Sequence, residues 1–248
     1  MKQPNKILLL GGNGKLGKEI IKSRLFNQIY YPGKNTCNLQ NKESIKVLLD
    51  DFKPTHIINC AALARRKLCE DRPNEAISVN IIGTSQLVQS ILEFRTKNKE
   101  PRLLHISTDA VYHCGKGNYD EFDPTIPTCQ YGWSKLAAEC SVRLLKNYLI
   151  IRTRFYNPND IPFIDAADDI FTSSIPISKL VNYIYRLITV KYVGVLNIGG
   201  KSQSDFEKYK IHKPDILQTD IKSIRENSGL PFCNNYTLST KRLDSILQ

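Results

Sequence analysis

Tyr131 and Lys135 stand four positions apart in the segment YGWSKLAAE (131–139). On a helix that spacing puts both side chains on one face. An ammonium beside a phenol lowers the phenol pKa from its unperturbed value of ~10 toward neutrality. Such a tyrosine can act as a general acid toward a carbonyl oxygen. Taken alone, the pair also fits the surface of an ordinary amphipathic helix. A second constellation lies upstream in HISTDAVY (105–112), where Ser107, Thr108 and Asp109 bring two hydroxyls and a carboxylate to the end of an apolar run. Thr108 can hydrogen-bond a carbonyl and orient it for reaction. Turn chemistry at a strand end would use the same three residue types.

The third constellation is GGNGKLG (11–17). It satisfies both Gly12-x-Gly14-x-x-Gly17 and Gly11-x-x-Gly14-x-x-Gly17. Without Cβ atoms, glycine backbone N–H groups can approach a pyrophosphate, and a helix N-terminus adds positive potential. The loop follows an apolar strand and opens a helix, the context that separates a dinucleotide fingerprint from a plain tight turn. Specificity for NAD usually places Asp or Glu at the ribose, about 20 residues on. Here that region reads IYYPGKN (29–35), with Lys34 and no acid. A lysine can pair with a 2′-phosphate, which favours NADPH and leaves NADH as the second choice; an exposed loop lysine reads the same way.

These groups need a scaffold that brings strand ends together, and the chain alternates strand and helix as such a scaffold requires. KILLL (6–10) predicts a strand buried on both faces. Helices are predicted over about 16–25, 42–52 (capped by Asn41), 76–95 and 131–145, and strands over about 29–31, 55–62, 102–107 and 149–153. The pattern predicts an α/β fold: a doubly wound parallel Rossmann sheet with right-handed crossovers. Residues 1–153 read as the dinucleotide-binding domain. Residues 154–248 read as a small, dependent substrate-binding lobe, with a helix over about 177–190, a strand at 194–198, and loops over 155–175 and beyond 201.

Composition narrows the classes. Of 248 residues, 41% are hydrophobic and 24% charged, and the net charge is +11. No apolar run approaches the roughly 20 residues of a membrane span. MKQPNKILLLGG reads as a strand and its loop, not a cleaved signal. No basic helix with interleaved aromatics argues for nucleic acid. The positive charge reads as a lysine-rich surface, part of which can attract a phosphate-rich ligand. Seven cysteines without a CxxC pair read as reduced thiols in a cytoplasmic protein. The four histidines lack metal-ligand spacing, so no metal is expected. Arg65, Arg66 and Lys67 follow the third strand and either meet phosphates or form a solvated charge run. Trp133 is expected to pack.

Together the glycine loop, NCAA (59–62), CEDRP…VN (69–80), STDAVY (107–112), YGWSKLAAE, RTRFY (152–156), LNIGGKSQSDFEKY (196–209) and NNYTLSTKRLDSIL (234–247) resemble the extended short-chain dehydrogenases, and among them the dTDP-4-dehydrorhamnose reductase group. The resemblance implies NADPH-dependent reduction at C4 of a nucleotide-linked 4-keto-6-deoxy sugar, in rhamnose biosynthesis. It assigns catalysis to Thr108, Tyr131 and Lys135. Cofactor binding falls to Gly11, Gly14, Lys15, Leu16, Gly17, Lys34, Asn38, Leu39, Ala61, Ala62 and Asn80, with Tyr131 and Lys135. Substrate contacts fall to Arg65, Asp109, Tyr112 and Arg154. Homodimerisation through the helix of Tyr131 is implied by analogy. Ala110 stands where bifunctional epimerase-reductases carry Cys, and Asp109-Ala110 replaces the Asp-Glu pair of dehydratases. The region between Tyr156 and Ile177 looks shorter than the family's sugar-covering segment. Alternatives are a bifunctional 3,5-epimerase/4-reductase, an epimerase or dehydratase, and a non-catalytic NADP-binding regulatory subunit of the kind found with methionine adenosyltransferase.

Overall fold

The computed structural model describes residues 5–95 and 98–248. Strand β1 (Ile7–Leu10) consists of four apolar residues, all buried. Its side chains alternate between two cores: Ile7 and Leu9 face one, Leu8 and Leu10 the other. Helices cover both faces of the sheet, so continuous hydrophobicity replaces the usual alternation of a half-exposed strand. Strands β3 (His56–Asn59), β4 (Arg102–Thr108) and β5 (Tyr148–Thr153) divide their residues in the same way, Ile58, Leu104 and Ile151 against Ile57, Leu103 and Ile150.

Helix α1 (Lys15–Ser23) joins β1 to β2 (Ile29–Tyr30), and α2 (Lys42–Phe52) leads to β3. The Asn41 side chain accepts from the Glu43 and Ser44 amides and so caps α2. The six-stranded sheet runs in the order Gly194–Ile198, β5, β4, β3, β1, β2, with every pair parallel. Strand order reverses at β1, which opens a crevice beyond the carboxyl ends of β1 and β3.

The predicted helix over 76–95 is a composite. After α3 (Arg66–Asp71), α4 (Pro73–Ala76) runs into a π-helical turn, Ile77–Ile82, and then into α5 (Gly83–Phe94). Such π turns concentrate at functional sites, and Asn80 lies within this one. Helix α6 (Gln130–Val142) carries the YGWSK segment.

Residues beyond 153 do not all lie outside the sheet. Helix α7 (Ile177–Leu187) buries Leu180, Val181, Ile184 and Leu187 in the same core as α1, and Gly194–Ile198 is an edge strand of the sheet, at the end opposite β2. The region read as loops holds short strand pairs: Asp165–Ala167 with Leu217–Thr219, and Phe171–Thr172 with Gln203–Ser204. It also holds α8 (Asp205–Lys210), α9 (Ile221–Ser228) and α10 (Lys241–Leu247). A Ser204–Glu207 capping box starts α8, and Gly229 at φ 66° ends α9. The expectation of reduced thiols throughout is corrected: Cys114 and Cys233 form a disulfide across 119 residues. It ties the loop after β4 to the C-terminal segment, which also pairs through the Tyr119 amide and the Thr237 carbonyl. No helix among the described residues is long and apolar enough to cross a membrane.

Candidate active site

The glycine loop is built by steric necessity. Gly11 has φ +82°, and a Cβ there would lie 2.6 Å from the Ala61 amide nitrogen. A Cβ at Gly17 would lie 2.3 Å from the Gly11 carbonyl oxygen. Gly14 differs: it is exposed, and its Cβ would meet only the Gly11 oxygen at 3.3 Å. Gly14 is also the N-cap of α1, with no side-chain cap. The first-turn amides of α1 therefore lack the partner a capping side chain would give, and they face the crevice with the helix's positive end. This cradle fits a pyrophosphate. Gly14→Ala is expected to leave the melting temperature within a few degrees and weaken dinucleotide binding at least tenfold. Gly17→Ala is expected to lose both, with overpacking costing about 1–3 kcal/mol or more. Differential scanning fluorimetry with and without NADPH separates the two.

Of the other residues expected at the cofactor, Ala61 and Ala62 are half-buried beyond the end of β3, opposite Gly11. Asn80 spends its side chain on protein: it accepts from the Leu63 amide at 2.7 Å and donates to the Leu63 carbonyl at 3.1 Å and Ser134 Oγ at 2.8 Å. It thereby clamps the loop after β3 to α6. Leu16 and Leu39 are buried in the two cores, Leu39 against Gly83. Lys15 is exposed and pairs with Asp160 at 3.3 Å. Lys34 is exposed in the turn after β2, and the half-buried Asn38 accepts from the Gln40 amide.

Helix α6 begins at the Cys129 thiol, which accepts from the Gly132 amide. It packs so closely on the turn after β4 that a Cβ on Gly132 would lie 2.4 Å from the Ala110 carbonyl. That approach brings Tyr131 beside Thr108, close enough for the two hydroxyls to interact. Thr108 Oγ1 also accepts from the Ala110 amide at 3.2 Å and donates to Asp109 at 3.1 Å. Asp109 is buried and holds Arg154 at 2.6 and 3.2 Å.

The expected lowering of the Tyr131 pKa is not found. Burial pushes the phenol up to about 12, against the pull of Arg66 and the neighbouring Thr108 hydroxyl, with the Asp109 charge adding to the rise. Lys135 points elsewhere: its Nζ lies 3.3 Å from His105 Nε2. It is 2% exposed, and burial pulls its pKa down to about 8, although Glu139 and Cys60 act in the opposite direction. A lysine depressed in the folded state binds fewer protons than the unfolded chain between about pH 8 and its unfolded value of 10.5. Its burial penalty is thus fully present below pH 8 and fades as pH rises to 10.5. Lys135→Met is expected to melt higher than the parent at pH 7, with the advantage shrinking across that window. Thermal denaturation of the two proteins from pH 7 to 10.5 measures it.

Three further expectations are corrected. Tyr112, expected at the substrate, is 1% exposed. Its hydroxyl donates to Asn197 at 2.9 Å and accepts from Arg152 at 2.9 Å, and its ring stacks on Tyr119. It is a core residue because every polar and apolar surface it has is already engaged. Arg65 is exposed at the start of α3, and it is Arg66 that faces inward: its guanidinium lies 5.0 Å from the Tyr236 ring centre, and Nη1 donates to the Tyr236 hydroxyl at 3.3 Å. Arg154 lies over the same ring at 4.5 Å, so Tyr236 bridges two cations from opposite sides of β4. Trp133 is 50% exposed, not packed.

Buried beneath the site, Glu139 accepts from Arg152 Nη2 at 2.7 Å and Nε at 3.0 Å, and from Ser107 Oγ at 2.6 Å. Sequence reasoning passed over Glu139, although it continues the Tyr131–Lys135 face by one more turn. Cavities of about 520 and 300 Å³ lie elsewhere, beside Phe26 and Tyr185 at the amino-terminal edge of the sheet and beside Tyr30 and Leu48. No group of three or more metal-ligating side chains occurs among the described residues.

A doubly wound nucleotide-binding fold, with Tyr131 beside Thr108 on the rim that also holds an uncapped glycine-lined helix start, and Lys135 buried one turn along the same helix, defines a short-chain-dehydrogenase type of protein. Residues 5–158 match the RmlD substrate binding domain family, and the chain belongs to it. A dTDP-4-dehydrorhamnose reductase of Aggregatibacter actinomycetemcomitans is 31% identical over 153 residues, 60% of this chain and 50% of the relative. Methionine adenosyltransferase 2 subunit beta of Rattus norvegicus is 28% identical over 148 residues, 55% of this chain and 42% of the relative. The matched segments thus span about half the length of these curated relatives. The fold is close to that of a Bacillus anthracis dTDP-4-dehydrorhamnose reductase solved with NADP: TM-score 0.88, 22% identity, 98% of this chain and 93% of that one. A Yersinia enterocolitica reductase aligns with TM-score 0.82 at 25% identity, over 97% of this chain and 92% of that one.

Proposed function

We propose that this chain is an NADPH-dependent reductase of the C4 keto group of a nucleotide-linked 4-keto-6-deoxy sugar. The observation that carries the reading is the close packing of α6 on the turn after β4, which sets Tyr131 beside Thr108 at the carboxyl end of that strand, on the rim that also holds the open start of α1. NADPH, when bound, supplies the hydride. Tyr131 holds its proton throughout the working pH range and gives it to the C4 oxygen. Thr108, kept in place by the Ala110 amide and Asp109, orients that oxygen. Lys135 lies within the same wall and binds the ribose next to the nicotinamide. Gly11, Gly14 and Gly17 admit the pyrophosphate, and Lys34 favours a 2′-phosphate over a bare ribose. Arg66 and Arg154 supply positive charge for the sugar nucleotide's phosphates.

The test mixes purified protein with NADPH and dTDP- or UDP-4-keto-6-deoxyhexose and follows loss of the reduced-nicotinamide absorbance. Oxidation in step with formation of the deoxysugar product is expected. No oxidation with either sugar ends the reading.

A second reading, cofactor binding without turnover, is favoured by one observation: Arg66 and Arg154 are both already stacked on Tyr236. The similarity to a methionine adenosyltransferase beta subunit is consistent with it. NADPH binding without oxidation of any sugar would select this reading over the first.

A further inference from the structure

Lys135 sits at the end of a chain of four hydrogen-bonding groups whose polarity can be worked out by counting donors. The Ala61 amide donates to Asn59 Oδ1 at 3.1 Å. A backbone N–H can only donate, so this contact fixes which end of the Asn59 amide is oxygen. Asn59 Nδ2 therefore faces His105 Nδ1, at 3.2 Å, and must donate to it. A neutral imidazole that accepts at Nδ1 carries its proton on Nε2. That nitrogen lies 3.3 Å from Lys135 Nζ. An ammonium has no lone pair to receive an N–H, whereas an amine has one. With Lys135 charged, both ends of the chain are donors, and one of the three contacts must set two donors against each other. Turning the Asn59 amide only moves the conflict to Ala61. Asn59 is 1% exposed and His105 0%, so water does not relieve it, and the mismatch disfavours the charged form of Lys135.

We propose that the chain from the Ala61 amide through Asn59 fixes the His105 proton on Nε2, and that His105 is thereby the positioning residue that weakens the hold of Lys135 on its proton until a ligand reaches it. The groups facing Lys135 are His105 from β4, Cys60 from the end of β3 and Glu139 one turn along α6. Burial and the Lys135 charge hold the His105 pKa well below its ordinary value, which excludes the doubly protonated ring. On the reductase reading, from which the consequence for catalysis follows, a lysine whose proton is loosely held can exchange it with a ribose hydroxyl as the cofactor seats.

The test uses the whole chain without ligand. Selective 15N labelling of the four histidines reports which ring nitrogen is protonated. One ring should stay neutral from pH 5.5 to 8, with its proton on Nε2; a buried ring protonated on Nδ1, or cationic at neutral pH, overturns the proposal. The second arm is Asn59→Asp, whose carboxylate accepts from both neighbours, frees His105 to reverse, and lets Nε2 accept from an ammonium. Lysine-selective NMR should then move the Lys135 midpoint from about 8 upward by at least tenfold in acid constant, with the His105 proton on Nδ1. An unchanged midpoint and tautomer in the folded variant overturn the proposal. If the variant does not fold, the tautomer measured in the unsubstituted protein decides alone. Neither arm uses a ligand, so failure here leaves the reductase reading standing, and failure of the turnover assay leaves this one standing.

Discussion

Tyr131→Phe lowers kcat and kcat/KM together by about 10²–10⁴-fold, the range that loss of a positioned general acid produces, while NADPH binding and thermal stability stay close to those of the parent. The substitution removes one hydroxyl and keeps the half-buried ring. The neighbour that the hydroxyl loses is Thr108, and even a full hydrogen bond there contributes only about 0.5–1.5 kcal/mol net. An interaction made only as the carbonyl oxygen gains charge affects both kinetic constants equally. Because burial holds the phenol near 12, the acid form persists well above neutrality, so the parent's rate should not fall through loss of this proton below about pH 10 unless the bound cofactor lowers it. Single-turnover absorbance measurements on both proteins, from pH 6 to 10, give the comparison. A reduction of less than tenfold would remove Tyr131 from the acid role and leave Thr108 and the cofactor cradle to account for any rate.

The scaffold was legible because its signals are redundant. Four apolar residues ending in a glycine loop specify β1 and α1 together, and Asn41 marks the start of α2 to the residue. The π turn at Ile77–Ile82 was not legible, because its apolar spacing still passes for an α-helix and the partners of Asn80 within it, Leu63 and Ser134, lie far along the chain. The helices after residue 204 are short and their caps are local; Ser204 with Glu207 at α8, and Asp220 and Gly229 at the two ends of α9, were the readable signals there. At the site, residue types found the right neighbourhood and missed directions. Whether Arg65 or Arg66 turns inward depends on the phase of α3, and whether Lys135 faces Tyr131 or His105 depends on which buried partner lies across from it. Tyr112 sits in a motif that resembles a substrate contact, yet a ring that stacks on Tyr119 and bonds Asn197 depends on partners far along the chain. The Cys114–Cys233 bond, which spans 119 residues, has no local signature either.

The Glu139–Arg152 pair carries the largest expected effect on stability. Glu139 is 0% and Arg152 1% exposed, and between them they satisfy Ser107 and Tyr112 as well. Removing one member of a buried pair leaves an uncompensated charge and typically costs about 3–5 kcal/mol. Glu139→Gln and Arg152→Met are each expected to lose stability in that range, which for a chain of this size lowers the melting temperature by roughly 2–4 °C per kcal/mol. Replacing both with apolar residues of similar volume removes the stranded charge, so the double variant should lose less than the sum of the two, a coupling of about 0.5–3 kcal/mol. Urea denaturation of the four proteins closes the cycle. Additive losses, or single variants within 1 kcal/mol of the parent, would mean the pair is solvated and contributes little. The pair also bears on the chemistry at a distance. Glu139 fixes Ser107, the neighbour of Thr108 on β4, and its negative charge supports the proton on Lys135 one helical turn away. Glu139→Gln should therefore lower the Lys135 midpoint still further, an effect in the opposite direction to Asn59→Asp, and the two substitutions together bracket how much of that lysine's proton affinity the buried wall controls.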